Sequence, residues 1–360
     1  MFRWAQWSAV AVLVIAGTGP SVQAKDRGLT LAVIMTNDKD ANAIQVYDTG
    51  THALLQTLST HGKGGVSGNA RGVRQYNGDL FAAVNYGSGN VAVFRRSGDR
   101  LVFDGLVTTT SAPVSIDFGN DHMYVAGTTT VDSFVIRHGR VEWMDGTTAL
   151  EIAEGGAPPI GATSQIGVTG PRQLLVTLKT DPTPGTVDVV SLADGAMSGS
   201  PAAVPGPTGS LAPFGFSVYH DGSAIITLAH SAQDGLFRNG AFVTEIGTAG
   251  QLGPCWTTRV GKYVFVVNTG TKTISRLIGT GNHVFIDAAV AATVTTGGNP
   301  LDPDADGGVL GVIDHGAGQS HLSLFHYNAF GELSASGSPI SIAVADGNGV
   351  AIMVARDVDD

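Results

Sequence analysis

The chain has 360 residues and a formal net charge of −10, with 20 basic residues against 30 acidic ones. Charged residues make up only 14% and glycine fills 50 positions; such a chain is too apolar to be disordered and, lacking a G-X-Y period, is not collagen. The acidic balance offers no basic footprint for nucleic acid, and the single cysteine, Cys255, excludes an intrachain disulfide.

The N-terminus opens Met1-Phe2-Arg3-Trp4 and runs into the apolar stretch Ala9–Ala16, then Gly17–Pro20 and Val22-Gln23-Ala24. This is the pattern of a secretory signal peptide cleaved after Ala24. The apolar run is too short for a stable membrane anchor. Residues 1–24 are therefore read as a signal and 25–360 as one mature domain. The expected location is periplasmic or secreted, with no membrane association after cleavage.

Beyond the signal, one grammar recurs: an apolar strand, a polar turn, a second strand, then a third beyond a Gly/Asp turn. Its units begin at Leu31, Leu80, Met123, Gln173, Ala224, Tyr263 and Val309, 39 to 51 residues apart. Leu80–Asn85 leads through Tyr86–Asn90 into Val91–Phe94, and Tyr263–Asn268 leads through Thr269–Lys272 into Thr273–Leu277. Shorter strands precede the units, such as Arg71–Gln75, Phe214–Tyr219 and Cys255–Arg259, each ending in an Asn-Gly, Asp-Gly or Val-Gly turn. The spacing is that of four-stranded propeller blades. No long segment holds a 3.6-residue period, so helices should be scarce. Gly347–Val354 reads as a lone inner strand that completes the blade begun at Leu31. The expected fold is all-β: a seven-bladed β-propeller of four-stranded antiparallel blades around a central channel, closed by a C-terminal strand.

These segments resemble the lactonase-like seven-bladed propellers, which include bacterial 6-phosphogluconolactonases and fungal carboxymuconate-cyclising enzymes. Leu80–Phe94 is similar to that family's blade core, and Pro254–Leu277 to a segment of its secreted members. Thr163–Leu192 and Gly298–Tyr327 fit the same template. Tyr263–Asn268 also carries the strand pattern of the related YVTN-repeat propellers. The resemblance implies a small-molecule lactone or carboxylate as ligand, and two roles follow from it. One is an exported enzyme that hydrolyses or isomerises a lactone at the channel mouth without a metal. The alternative is a non-catalytic binding or scaffold propeller with a protein or glycan partner.

No G-x-S-x-G elbow, H-E-x-x-H, C-x-x-C or Walker loop occurs. The string Asp302-Pro303-Asp304-Ala305-Asp306-Gly307 starts like a calcium loop, but its twelfth position is Ile313. It reads as an inner-strand Asp302 followed by a hairpin turn over Asp304–Gly307, with no metal and no cofactor. Aligned inner strands place Arg71, Ser115, Gln165, Phe214, Trp256 and Asp302 toward the channel. Loops after the second strands add Asn85, Lys179, His230, Asn268 and His315. Arginine suits a carboxylate or lactone oxygen, and histidine moves protons near neutral pH. Arg71, His230, His315 and Asp302 are thus the catalytic candidates. Asn85, Gln165, Lys179, Phe214, Trp256 and Asn268 are the substrate-binding ones. Competing roles are ion pairing for Arg71, inter-blade packing for Trp256 and solvated turn positions for the histidines. His61 is read as a solvated loop residue, and Arg172 as lying on the opposite face.

Overall fold

A computed structural model describes residues 29–152, 161–179, 185–316 and 318–355. The signal-peptide expectation lies outside these residues. Among the described residues strand follows strand, interrupted by two single-turn 3-10 segments, Tyr86–Ser88 and Ala229–Ser231.

Seven antiparallel sheets form, each beginning at the centre with a short strand. In chain order the inner strands of blades 2 to 7 are Val73–Tyr76, Pro113–Gly119, Thr163–Gly170, Pro213–Val218, Pro254–Val260 and Asn299–Asp306. Blade 1 takes its inner strand, Asn348–Met353, from the other end of the chain. That strand pairs antiparallel with Leu31–Met35. Consecutive inner strands touch one another around the ring, so this is a seven-bladed propeller. Blades 4 and 7 have their outer strand broken into two pieces that pair with the same third strand. All seven units expected from the sequence are the second strands of blades.

The burial follows from stacking sheets face to face. Leu80–Asn85, His122–Gly127 and Tyr263–Asn268 are buried along their whole length, because a neighbouring blade covers each face. Outer strands alternate instead, as in Ala241–Gly247. At the hairpin between the first two strands of blade 2, Asn77 and Gly78 take φ of 54° and 73°. This left-handed pair is what a tight hairpin turn requires, and asparagine and glycine tolerate it best.

A bulge recurs near the start of the inner strands. Register shifts lie between Pro113 and Ser115, Thr163 and Gln165, Pro213 and Phe216, Pro254 and Trp256, and Pro300 and Pro303. Four of the five begin at proline, which has no N–H to give a ladder and so sits where pairing starts. Each bulge turns the next side chains toward the axis.

A second repeated device joins the blades. Asp132, on the third strand of blade 3, accepts the amide of Thr110 at 2.7 Å, and Asp188 in blade 4 accepts that of Glu151 at 2.7 Å. Each carboxylate thus holds the connection arriving from the previous blade. Asp234, on the third strand of blade 5, lies one register position earlier, paired with Thr227, and faces the other side of its sheet. One oxygen of each is buried without a hydrogen-bond partner, and burial pushes the Asp234 carboxyl up to about 7 and that of Asp188 to about 6. A carboxyl raised on folding stabilises most below its unfolded value near 3.9, and that stability is lost as pH rises through the folded value. Asp234→Asn is therefore expected to lessen the fall in stability between about pH 4 and 7. The difference, on the order of a few kcal/mol, is measured from urea midpoints at pH 4.5 and 7.5. An unchanged pH dependence would contradict it.

Candidate functional site at the channel mouth

The channel is plugged midway. Arg71, just before the inner strand of blade 2, holds φ at 57°, an unusual conformation for a side-chain-bearing residue. Its backbone N–H donates to Asp302 Oδ2 at 2.6 Å, while its guanidinium donates to the Phe216 carbonyl at 3.3 Å and stands 3.6 Å from Asp117 Oδ2. Gln165 spans two blades: its amide donates to the Phe216 carbonyl at 2.8 Å and accepts the Phe216 N–H at 2.9 Å. Space here is tight. A Cβ at Gly167 would lie 2.6 Å from the Phe216 ring and 3.3 Å from the Arg71 guanidinium. Burial lowers the Arg71 guanidinium to about 10 and raises the Asp302 carboxyl to about 7, against the pull of the Arg71 amide.

Above the plug, where inner strands begin, lies a cavity of about 380 Å³. Trp256 and Leu301 supply apolar wall, and His315, Asn299, Asp346 and Asn348 supply polar groups. Trp256 donates its indole N–H to the Asn69 carbonyl at 2.7 Å and meets Phe214 edge-on, with centroids 5.2 Å apart. Those contacts lock the indole. Asn348 donates to Asn69 Oδ1 at 3.0 Å, but its own Oδ1 is buried without a partner. Residues 65–68 cross the mouth as a strap. Asn37 holds the strap by donating to the Val66 carbonyl at 2.8 Å and accepting the amides of Gly65 and Val66. Lys179 pins its other end, donating to the carbonyls of Gly68 and Thr163, with its ammonium 5.3 Å above the Phe214 ring. Burial lowers this lysine to about 8 and raises the neighbouring Cys255 thiol to about 12, so the thiol is not a nucleophile at neutral pH.

Below the plug lies a larger cavity, about 530 Å³, whose walls include Arg71, Arg74, Asp117, Asp304, Thr258 and Arg259. Arg74 bridges blades, donating from Nε to Asp117 at 2.9 Å and from a terminal nitrogen to Asp304 at 3.4 Å.

The structure thus separates the residues expected to act together. His315 and Trp256 share the upper cavity, with Phe214 and Lys179 just behind its wall. The Arg71 guanidinium faces the lower one, where it takes up the ion-pairing role, and Asp302 is buried between them. His230 is exposed on the 3-10 turn of blade 5 and lines neither cavity. Asn85 is fully buried, bonded to Asn42, Thr60 and Asn90. Asn268 is likewise buried and donates to Thr273 and Ser275, although its Oδ1 has no partner. Asp304 corrects the sequence reading: it lies within the inner strand Asn299–Asp306 and is buried, and the turn falls at Gly307-Gly308. Its carboxylate meets Arg74 and the Ile352 amide, not a calcium loop. His61 packs on Phe103, with centroids 4.4 Å apart. Arg74, Asp117 and Asp304 were missed. The signal available was alternation: they sit two or three positions beyond the channel-facing residues already picked.

Seven small antiparallel sheets around one axis make the protein a seven-bladed β-propeller. A periplasmic gluconolactonase from Pseudomonas aeruginosa superposes with a TM-score of 0.65 at 15% identity, covering 90% of this chain and 99% of that one. A candidate 6-phosphogluconolactonase from Bacteroides fragilis gives 0.64 at 13% identity, over 93% and 99%. A virginiamycin B lyase from Staphylococcus aureus gives 0.55 at 14% identity, over 81% of this chain and 93% of that one. No family profile and no curated protein matches the sequence. At such identities the likeness establishes the fold.

Proposed function

We propose that the protein is an exported lactonase-type propeller that opens, or isomerises, a small lactone in the upper cavity. The observation that carries this reading is one cavity joining an imidazole, His315, to a locked apolar platform, Trp256, with the polar residues Asn299 and Asp346 beside them. The lactone ring lies against the indole. His315 takes a proton from water as it attacks the carbonyl. Lys39 and Asn299 at the rim supply donors to the developing oxyanion. A periplasmic or secreted location agrees with the N-terminal pattern and with the periplasmic neighbour. Among the described residues no helix is long and apolar enough to cross a membrane.

His315→Ala is expected to lower kcat/KM on the best substrate of an aldonolactone panel by about 100-fold or more. His315→Ala turning over like wild type would remove the imidazole from the mechanism. A binding or scaffold role draws support from the internal engagement of Asn85 and Gln165, which leaves few polar side chains for chemistry. Absence of turnover on every lactone, with glycan or protein binding retained, would decide for it.

A further inference from the structure

The lower cavity has a marked imbalance between hydrogen-bond donors and acceptors. Its two deepest carboxylates are satisfied. Asp117 accepts Arg74 Nε on one oxygen and the Val168 amide, at 2.8 Å, on the other. Asp304 accepts Arg74 on one oxygen and the Ile352 amide, at 2.9 Å, on the other. The guanidiniums are not satisfied. Each carries five N–H donors, yet Arg71 makes one side-chain hydrogen bond, to Phe216, and Arg74 makes two. Arg259, from blade 6, donates to the Gly261 carbonyl at 2.6 Å and lies over the Tyr219 ring, with its centroid 5.8 Å away. The stacking holds its plane at the rim and leaves further donors open. The open guanidinium donors favour an occupant that brings acceptors.

We propose that this lower cavity is a second ligand site, distinct from the strapped mouth, and that it binds a small molecule through a carboxylate or phosphate group. Planar guanidiniums grip such oxyanions through paired N–H donors, and three of them converge here from two blades. The cavity, about 530 Å³, exceeds a bare ion and suits a molecule of sugar-acid size. Thr258, also on the wall, offers a polar contact for a ligand hydroxyl. A cation is disfavoured because Asp117 and Asp304 already use their oxygens and Asp306, the third carboxylate on the wall, accepts the Gly307 amide at 2.8 Å. The plug of Arg71, Gln165 and Phe216 keeps this site apart from the upper one. It stands whether or not the upper cavity is a lactonase centre.

The test is calorimetric titration of the purified protein with gluconate, glucose 6-phosphate and inorganic phosphate, in a chloride buffer. Saturable binding of gluconate or glucose 6-phosphate is expected, and which of them binds tighter identifies the oxyanion. Arg259→Ala, at the partly exposed rim, should weaken it at least about tenfold, as loss of a charge-assisted contact does. Trp256→Ala, in the upper cavity, should leave it unchanged. The proposal fails if neither sugar acid nor sugar phosphate binds at 10 mM or so. It also fails if Arg259→Ala binds as wild type does, or if Trp256→Ala abolishes binding.

Discussion

Arg74→Met should destabilise the protein by about 3 kcal/mol, read as a lower urea midpoint at pH 7. Arg74 sits between Asp117 in blade 3 and Asp304 in blade 7, and both carboxylates are buried. Methionine fills similar volume but leaves two charges facing one another across the axis, with only Arg71 nearby, 3.6 Å from Asp117. Removing one partner of a buried pair costs more than the pair itself contributes, because the orphaned charge stays desolvated. Two further results follow from that cause. The loss should shrink in mild acid, as Asp304, whose carboxyl burial already raises, takes up a proton, and adding Asp304→Asn should recover part of it. A deficit below about 1 kcal/mol, or one that does not change with pH, would show that Arg74 is only a surface contact.

Removing the inner strand of blade 1, Asn348–Met353, should abolish cooperative folding. All six residues are buried, and Val350, Ile352 and Met353 lie at or below 2% exposure. Burial of those three side chains alone contributes about 5–9 kcal/mol, comparable to the whole stability of a typical domain. The truncated chain would also expose the edge of Leu31–Met35, an entirely apolar strand. The expected readout is an aggregated product with no unfolding transition. A synthetic peptide spanning residues 347–355, added during refolding, should restore one. A truncated chain that unfolds cooperatively without the peptide would mean the ring closes by other contacts.

The ring was legible because stacked blades impose the same burial on every second strand. A sequence such as Leu80–Asn85 therefore repeats as Tyr263–Asn268, and the turns between carry their own glycines. The closing strand Asn348–Met353 could be seen for the same reason. The site was harder to read. Alternation along an inner strand indicates which side chains face the axis, but a bulge at Pro300–Pro303 shifts the count. Asp304 was consequently assigned to a turn. Neither does alternation say at which end of the channel a long side chain finishes. Arg71 starts beside the upper mouth, yet its guanidinium crosses to the lower one, so it parts from His315. Gln165 and Asn85 illustrate a further limit: each is polar and central, but their partners are backbone groups and amides from adjoining blades. No single strand reveals those.

The closure of blade 1 also sets a timetable. Its second, third and fourth strands, Leu31–Met35, Ala43–Asp48 and Leu54–Ser59, leave the ribosome before every other described strand, whereas their inner partner is the last of the described strands. Loop closure over nearly the whole chain must precede that pairing, which makes it the slowest contact to reward. For the interval before it forms, six blades can stack while the first remains incomplete. A nascent propeller of this kind is committed to its native state only once Asn348–Met353 has emerged, and that strand acts as the clasp.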